Sequence, residues 1–194
     1  MDIFFYEAFA EEEEALKRHL PGGISAGFTA QTIQETDHTA PPCPFISIRT
    51  QSLIPAPWAG ELDAVLTRST GFDHVNRYRE LIGHTIPAGY LPLYCNRSVA
   101  EQALLLWMAL MRRLNCQQRQ FASFLRDGLT GGECLGRTLL VVGVGNIGHE
   151  ICRIGRSLGM EVIGTDLVRK HPDIRYLDIH EALPQADVIA CAMS

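Results

Sequence analysis

The clearest pattern of apolar and polar positions lies between Thr138 and Asp166, where it predicts a strand, a turn, a helix and a second strand. Leu139 to Val142 form a continuous apolar run, as expected for a parallel strand that is covered on both faces. Apolar residues then recur every three or four positions and define one face of an amphipathic helix: Ile147, Ile151, Ile154 and Leu158. Gly159 ends that helix, and residues 161–165 form the second predicted strand.

The first half of the chain alternates short apolar segments with helical or polar ones, which favours a parallel α/β layer. The predicted strands are residues 3–6, 24–29, 45–49 and 62–68. The acidic run Glu11 to Glu14 opens a predicted helix over residues 10–20, because carboxylates complement the positive end of the helix dipole. We therefore predict a first domain over residues 1–97.

Residues 98–114 form the strongest predicted helix of the chain. Ser98 and Glu101 fit an S-x-x-E capping box at its start. Three residues widen its apolar face beyond what one core would cover: Leu105, Leu106 and Met108. The pattern predicts either that the helix packs on a second copy of the chain, as a homodimer, or that it is buried between two domains. Helical character is predicted again over residues 121–126.

Composition narrows the classes of partner. The chain has 194 residues and a formal net charge of −5, which argues against a nucleic-acid-binding surface. Its N-terminus carries an acid where a signal peptide needs a basic region, and no apolar run reaches membrane-spanning length, so we expect a cytoplasmic protein with no membrane partner. The six cysteines show no C-x-x-C pair, so we expect free thiols and no metal site.

The turn after the strand at 139–142 carries a glycine motif. Its sequence, Gly143-Val144-Gly145-Asn146-Ile147-Gly148, matches G-x-G-x-x-G. One glycine permits a tight turn, one lets a pyrophosphate approach the backbone, and one lets the helix pack close to the strand. Such a motif alone also occurs in βαβ units that bind no nucleotide. Here a strand precedes it and a helix follows it, so we predict that five of its residues bind a dinucleotide: Gly143, Gly145, Asn146, Ile147 and Gly148.

Asp166 follows the second strand, about 20 residues beyond the glycines, where a carboxylate accepts hydrogen bonds from the adenosine ribose. A helix N-cap or a solvated loop acid is the alternative interpretation. A carboxylate there would repel a 2′-phosphate, whereas the neighbouring Arg169 and Lys170 would attract one. The sequence therefore predicts NAD as the cofactor, with NADP less favoured.

With these motifs in place, the chain resembles the D-isomer-specific 2-hydroxyacid dehydrogenases over essentially its whole length. Ser69 to Asn76 resembles the substrate loop of that family, Ser98 to Glu101 the start of its interdomain helix, and Leu135 to Asp166 its nucleotide fingerprint. The resemblance implies a flavodoxin-like substrate domain over residues 1–97. It also implies a Rossmann NAD-binding domain over residues 98–194, opened by the interdomain helix 98–114.

The resemblance also implies where ligands bind. Backbone N–H groups of three residues would hold the carboxylate of a small 2-hydroxy or 2-oxo acid: Ser69, Thr70 and Gly71. A turn glycine exposes such N–H groups without a side chain in the way. Val99 would lie near the nicotinamide, and Met193 and Ser194 would begin the loop that passes under the adenine ribose.

Catalysis in this family uses a histidine paired with an acid, which exchanges the hydroxyl proton, and an arginine that polarises the oxygen. These residues lie in the second half of the nucleotide domain, and the sequence ends at Ser194, ahead of the matching region. We therefore expect no catalytic residue in this chain and an incomplete Rossmann domain. His74, His84 and His149 are not expected to replace the missing histidine. Arg68 would either touch substrate or form a surface ion pair.

These expectations amount to an oxidoreductase that transfers a hydride between NAD(H) and a 2-hydroxy or 2-oxo acid. Two alternatives stay open at this stage. The chain would be a catalytically inactive NAD-binding regulatory protein, or a fragment of a full-length enzyme.

Overall fold

The computed structural model describes residues 1–193 and divides into two compact units. The first unit is Met1–Pro92 and the second begins at Leu93, a few residues ahead of the predicted domain boundary at 97. Both units are α/β, with parallel sheets and helices on both faces. The α/β fold class is therefore confirmed. Ser194, which we predicted to contact the cofactor, lies outside the described residues.

The first unit is built on a five-stranded parallel sheet with the order β2-β1-β3-β4-β5. Its strands are β1 Ile3–Phe5, β2 Ala26–Phe28, β3 Phe45–Ile48, β4 Ala64–Thr67 and β5 Ala88–Gly89. Its α-helices are α1 Ala10–His19 and α2 Asp73–Ile82, and two short 3₁₀ helices cover Ile33–Glu35 and Ala56–Gly60. The strand order 2-1-3-4-5 is that of flavodoxin-like folds, which confirms the predicted architecture.

The four strands predicted in this unit all form, each slightly shorter than predicted. Strand side chains such as Ile46, Ile48 and Val65 form one core with Trp58 and Tyr6, the largest fully buried side chains. The acids lie in the first turn of α1, as predicted, and its last turn carries Lys17, Arg18 and His19. The two-residue strand β5 was not predicted, because so short a segment carries no periodic signal.

The second unit contains a four-stranded parallel sheet with the order β8-β7-β6-β9. The strands are β6 Thr138–Val142, β7 Glu161–Thr165, β8 Arg175–Tyr176 and β9 Val188–Cys191. The α-helices are α3 Asn96–Met111, α4 Leu114–Phe121, α5 Asn146–Ser157 and α6 Ile179–Ala182, the last followed by a 3₁₀ turn at Leu183–Gln185. Counted from β6, this order is 3-2-1-4, which is that of the first four strands of a Rossmann sheet.

Strand β6 lies at the centre of this sheet. It pairs in parallel with β7 on one side and with β9 on the other. Leu139, Leu140 and Val141 are completely buried, as the continuous apolar run predicted. In α5, Ile151 and Ile154 are buried, and Ile147 and Leu158 pack at the edge of the same core. The β6-α5-β7 unit therefore has the predicted structure.

Helix α3 differs from the prediction at both ends. It begins at Asn96 rather than Ser98, and Ser98 and Glu101 form no capping box: the Ser98 hydroxyl donates to the Cys95 carbonyl at 3.0 Å, and Glu101 accepts from Arg97 at 2.6 Å. Both residues therefore lie inside the first turns, where S-x-x-E spacing also supports other local contacts.

The helix ends at Met111 rather than at residue 114. Arg113 has a φ of 53°, so the chain leaves the right-handed helical conformation before α4 begins. The helical segment predicted at 121–126 is also displaced. Helix α4 stops at Phe121, and Phe124 is in the left-handed region with a φ of 49°.

The wide apolar face of α3 is only partly covered. Ala100 and Trp107 are buried against α5 and the sheet, whereas Leu105, Leu106 and Leu110 are 57%, 56% and 78% exposed. Packing of this exposed face on a second copy of the chain therefore stays a prediction. Along the described part of the chain, no helix is both long enough and apolar enough to cross a bilayer.

Candidate functional site

The glycine loop leaves the central strand β6 at its carboxyl end, at the point where β9 lies on one side and β7 on the other. Gly143 has a φ of +87°, a conformation that side chains with a Cβ rarely adopt. A Cβ at Gly143 would lie 2.9 Å from backbone atoms of Ala192 and Met193, which follow β9. The predicted residues Gly143 and Met193 therefore come together at the switch point of the sheet, where α/β folds bind ligands.

Helix α5 begins directly after this loop with no side-chain cap. Gly145 is its N-cap, and the first bond of the helix runs from His149 N–H to Gly145 O at 2.9 Å. The N–H groups of Asn146, Ile147 and Gly148 precede that bond, and the first N–H groups of a helix have no intrahelical acceptor. Such a terminus favours an anion through its N–H groups and its dipole.

The two later glycines meet different constraints. A Cβ on Gly148 would overlap the Gly143 carbonyl oxygen, so the third glycine permits close packing of α5 on the turn. A Cβ on Gly145 would meet nothing within 4 Å, so open space lies in front of the helix terminus. Ile147 is half-buried and packs its side chain against the core. These residues fit a phosphate group approaching the backbone.

Asp166 follows β7 and is tied to the glycine loop. Its carboxylate accepts from Val144 N–H at 2.6 Å and from Val168 N–H at 3.0 Å. Hydrogen bonds from the backbone N–H groups, first Val168 and then Val144 and Leu167, hold the pKa of Asp166 below its usual range. A carboxylate is therefore charged at neutral pH at the edge of this site, and it also fixes the shape of the loop.

The segment predicted to bind the substrate carboxylate lies at the carboxyl end of β4 in the first unit. Ser69 is buried, and its hydroxyl donates to Gly71 O at 2.6 Å and lies 2.6 Å from the Thr67 hydroxyl. Thr70 is half-buried. Gly71 is exposed, and a Cβ added to it would meet no atom within 4 Å. The Ser69 side chain thus shapes the turn, and a ligand would meet backbone groups there.

Two neighbours of that segment have structural contacts. His74 in α2 is 2.9 Å from Thr67 Oγ1, and burial lowers the pKa of His74. Arg68 does not form the surface ion pair that we considered: it is 8% exposed, and it donates to Glu12, Ser47 and backbone carbonyls. The interior of the unit holds this guanidinium because each of its three nitrogens donates to an acceptor.

The remaining predicted cofactor contacts lie on exposed positions. Val99, in the first turn of α3, is 41% exposed, Asn146 is exposed at the start of α5, and Met193 is 69% exposed after β9. Their roles stay predictions. Among the dismissed histidines, His84 is exposed and contacts Ile82 O at 3.2 Å.

Comparison with known proteins relates the residues of this site to a described family. Residues 104–194 match the family described as D-isomer specific 2-hydroxyacid dehydrogenase, NAD binding domain. A 2-hydroxyacid dehydrogenase homolog from Haemophilus influenzae is 32% identical over 133 residues, which are 64% of this chain and 39% of that protein. Residues 104–194 therefore belong to the NAD binding domain of the D-isomer specific 2-hydroxyacid dehydrogenase family.

Solved structures similar to this chain have the same fold. The apo structure of D-lactate dehydrogenase from Escherichia coli has a TM-score of 0.82 at 23% identity, covering 100% of this chain and 65% of that one. D-lactate dehydrogenase from Aquifex aeolicus, solved with NAD and lactic acid, has a TM-score of 0.79 at 23% identity, covering 99% of this chain and 60% of that one. This chain therefore spans about two thirds or less of the length of these dehydrogenases.

Sequence reasoning missed two features of the second unit. One is the Val144 N–H bond to Asp166, which joins residues on neighbouring loops and has no signature in the motif. The other is a group of three side chains beside α5, His149, His171 and Asp173, whose potential ligand atoms lie within 4.8 Å of one another. Their positions along the chain match no short ligand-spacing motif.

Proposed function

We propose that this chain binds NAD(H) at the carboxyl edge of the β8-β7-β6-β9 sheet and belongs to an NAD-dependent 2-hydroxyacid dehydrogenase. One observation carries the proposal. The N-terminus of α5 has no side-chain cap and faces open space at Gly145, and the charged Asp166 lies directly after the neighbouring strand β7. The N–H groups of Asn146 to Gly148 would hold the pyrophosphate, and Asp166 the ribose hydroxyls.

Replacing Asp166 should narrow the preference for NADH over NADPH by about tenfold or more, about 1.4 kcal/mol, because the carboxylate that repels a 2′-phosphate is gone. Asp166→Asn keeps an oxygen acceptor for Val144 and removes the charge, whereas Asp166→Ala removes both. We expect Asp166→Asn to reduce the preference for NADH over NADPH with little loss of affinity for NADH. We expect Asp166→Ala to weaken the binding of both cofactors, because the glycine loop loses its bond to residue 166. Fluorescence titration with NADH and NADPH measures this.

The matched control is Glu161→Gln, which removes one negative charge at the opposite end of β7, on an exposed side chain. Its cofactor preference should equal that of the parent chain. If the parent chain bound NADH and NADPH equally, the role proposed for Asp166 would be wrong.

The proposed reaction is hydride transfer between nicotinamide and the carbon that bears the hydroxyl group of a small 2-hydroxy acid. When bound, NAD supplies the hydride acceptor, and NADH the donor. Backbone N–H groups around Ser69, Thr70 and Gly71 would bind the substrate carboxylate, supported by the Ser69 hydroxyl that shapes the turn. Val99 would contact the nicotinamide, and Met193 the adenosine side of the cofactor.

An NAD-binding regulatory protein without activity is the second candidate. The two are separated by NADH consumption at 340 nm with pyruvate, glyoxylate, hydroxypyruvate and 2-oxoglutarate, measured on the protein as its gene encodes it. Turnover of one of these acids supports the dehydrogenase. NADH binding without turnover of any 2-oxo acid supports the regulatory protein.

We further infer that the chain forms homodimers through α3. The exposed leucines 105, 106 and 110 lie on one wide helix surface and would bury apolar area against a second copy. Sedimentation at micromolar concentration should show a dimer, and Leu106→Glu together with Leu110→Glu should shift it to monomer. Leu81→Glu, at a leucine of α2 that is 66% exposed, is the matched control and should leave the dimer intact. A parent chain that sediments as a monomer at high micromolar concentration would contradict the inference.

We also infer a cytoplasmic location. Five cysteines are free thiols, as is usual in a reducing compartment: Cys43, Cys116, Cys134, Cys152 and Cys191. Cell fractionation with an antibody against the chain tests it.

A further inference from the structure

Three side chains that play no part in the proposed nucleotide site lie together in the second unit. His149 comes from α5, and His171 and Asp173 come from the segment between β7 and β8. One ligand atom from each residue lies within 4.8 Å of the others. Two imidazoles and a carboxylate are the donor set of many zinc sites.

The present contacts of the three groups leave one nitrogen without a partner. The rings of His149 and His171 stack with centroids 3.9 Å apart and an angle of 5° between their planes. His149 Nε2 is 3.4 Å from the Asp173 carboxylate. His171 Nε2 is buried and has no hydrogen-bond partner among the described residues. Buried polar atoms without a partner are uncommon in folded proteins and call for a ligand or a water.

The group is also open to solvent through a pocket on the same unit. The pocket has a volume of about 470 Å³, and both histidines line it together with Asn146, Glu150 and Arg153. An ion would therefore have an entry path. Arg156 donates to the Asp173 carboxylate at 2.6 Å, so an ion at this group would share one of its ligands with a guanidinium.

We propose that His149, His171 and Asp173 form a binding site for a divalent transition-metal ion of the zinc class. Imidazole nitrogen suits Zn²⁺, Co²⁺ and Ni²⁺, and a carboxylate oxygen completes a three-residue set with a fourth position for water. Stacked packing of the two rings is the simpler explanation of their contact. It accounts for neither the unpartnered Nε2 nor the carboxylate beside both rings.

The geometry requires a movement on binding. Nitrogens bound to one tetrahedral zinc ion at about 2.0–2.1 Å are about 3.3 Å apart and direct their lone pairs to a common point. Two parallel stacked rings direct their lone pairs side by side. One ring must therefore leave the stack, and Arg156 must share or release the Asp173 oxygen that it binds.

Arg156 gives the proposal an unusual test, because it competes with the ion for the same carboxylate. Arg156→Gln should tighten Zn²⁺ binding about threefold or more, since a positive charge next to the ion is removed. His149→Gln and His171→Gln should each weaken binding at least about tenfold. His180→Gln, at an exposed histidine of α6, is the matched control and should leave affinity unchanged.

The experiment is calorimetric titration of the complete, tag-free and nucleotide-free chain with ZnCl₂, followed by Co²⁺ absorption spectroscopy. Circular dichroism and Trp107 fluorescence check that each variant is folded. One site that weakens in both histidine variants and tightens in Arg156→Gln supports the proposal. No Zn²⁺ binding at micromolar concentration would overturn it. So would binding that survives both histidine changes, with a thiolate band in the Co²⁺ spectrum, because that result would assign the ion to cysteines. Since no nucleotide is present, the outcome is independent of the dinucleotide proposal.

Discussion

Gly148→Ala is expected to destabilise the β6-α5 region by about 2 kcal/mol or more and to remove NADH binding. The added Cβ would overlap the Gly143 carbonyl oxygen and lie 3.0 Å from its carbon. Alanine in a helix gains about 1 kcal/mol over glycine. Overpacking costs about 1–3 kcal/mol even against side chains, and here the opposing atoms are backbone. The steric cost therefore exceeds the gain in helix propensity.

Tryptophan fluorescence can report the unfolding of each unit separately, because Trp107 lies in the second unit and Trp58 in the first. Denaturant unfolding of Gly148→Ala in a Trp58→Phe background should show an earlier Trp107 transition. Gly145→Ala is the matched control: its φ of −79° suits alanine and its Cβ meets nothing within 4 Å.

We expect the stability of Gly145→Ala to stay within about 0.5 kcal/mol of the parent, while NADH binding weakens because the methyl enters the space in front of α5. Equal stability of Gly148→Ala and the parent would show that the close packing at this turn is not present in solution.

Arg68→Met should destabilise the first unit by about 2–3 kcal/mol. The guanidinium donates to Tyr6 O at 2.7 Å and to Glu12 at 2.8 Å, and methionine removes both hydrogen bonds. Breaking a fully buried pair costs about 3–5 kcal/mol, and the cost here falls to or below the bottom of that range because Glu12 is 27% exposed and gains water. Arg68→Lys should restore little of the lost stability, because a single ammonium group cannot bind all the acceptors that the three guanidinium nitrogens reach.

The measurement is denaturant unfolding followed by Trp58 fluorescence in a Trp107→Phe background. Arg18→Met is the matched control, since the Arg18–Glu14 pair is exposed at both ends and should contribute less than about 0.5 kcal/mol. Full stability of Arg68→Met combined with weaker binding of a 2-oxo acid would contradict the structural role and restore the substrate-binding hypothesis.

The sequence predicted best where apolar spacing and backbone requirements coincide. In the β6-α5-β7 unit, a fully apolar strand, three glycines and the spacing of Ile147, Ile151 and Ile154 each allow few other structures. The flavodoxin-like and Rossmann architecture followed from that unit and from the resemblance. The strand order then confirmed it.

Prediction failed where one short pattern has several structural outcomes. Ser98 and Glu101 have capping-box spacing, yet α3 already covers both, because neither hydroxyl nor carboxylate is restricted to a helix end. Strands β5 and β8 contain two residues each, too few for a period. Arg68 was ambiguous since an arginine after a strand is compatible with a surface, a ligand or a buried network.

The site was predictable as a motif but not as a set of contacts. Gly143, Gly148 and Asp166 occupy the positions that the motif implies. The Val144 bond to Asp166, the packing of Gly143 on Ala192, and the neighbourhood of His149 and His171 depend on tertiary structure. No local pattern reports such long-range neighbours.

The pairing of β6 with β9 has a consequence for the order in which the chain folds. Thr138 N–H binds the Asp187 carboxylate across a separation of 49 residues, and Gly143 packs against the backbone of Ala192 and Met193. Contacts this distant in sequence form slowly, because loop closure must precede them. During synthesis, β6, α5 and β7 can assemble first. The glycine turn makes its contacts with Ala192 and Met193 only after β9 joins the sheet. Nucleotide affinity should therefore be among the last properties that the nascent second unit acquires.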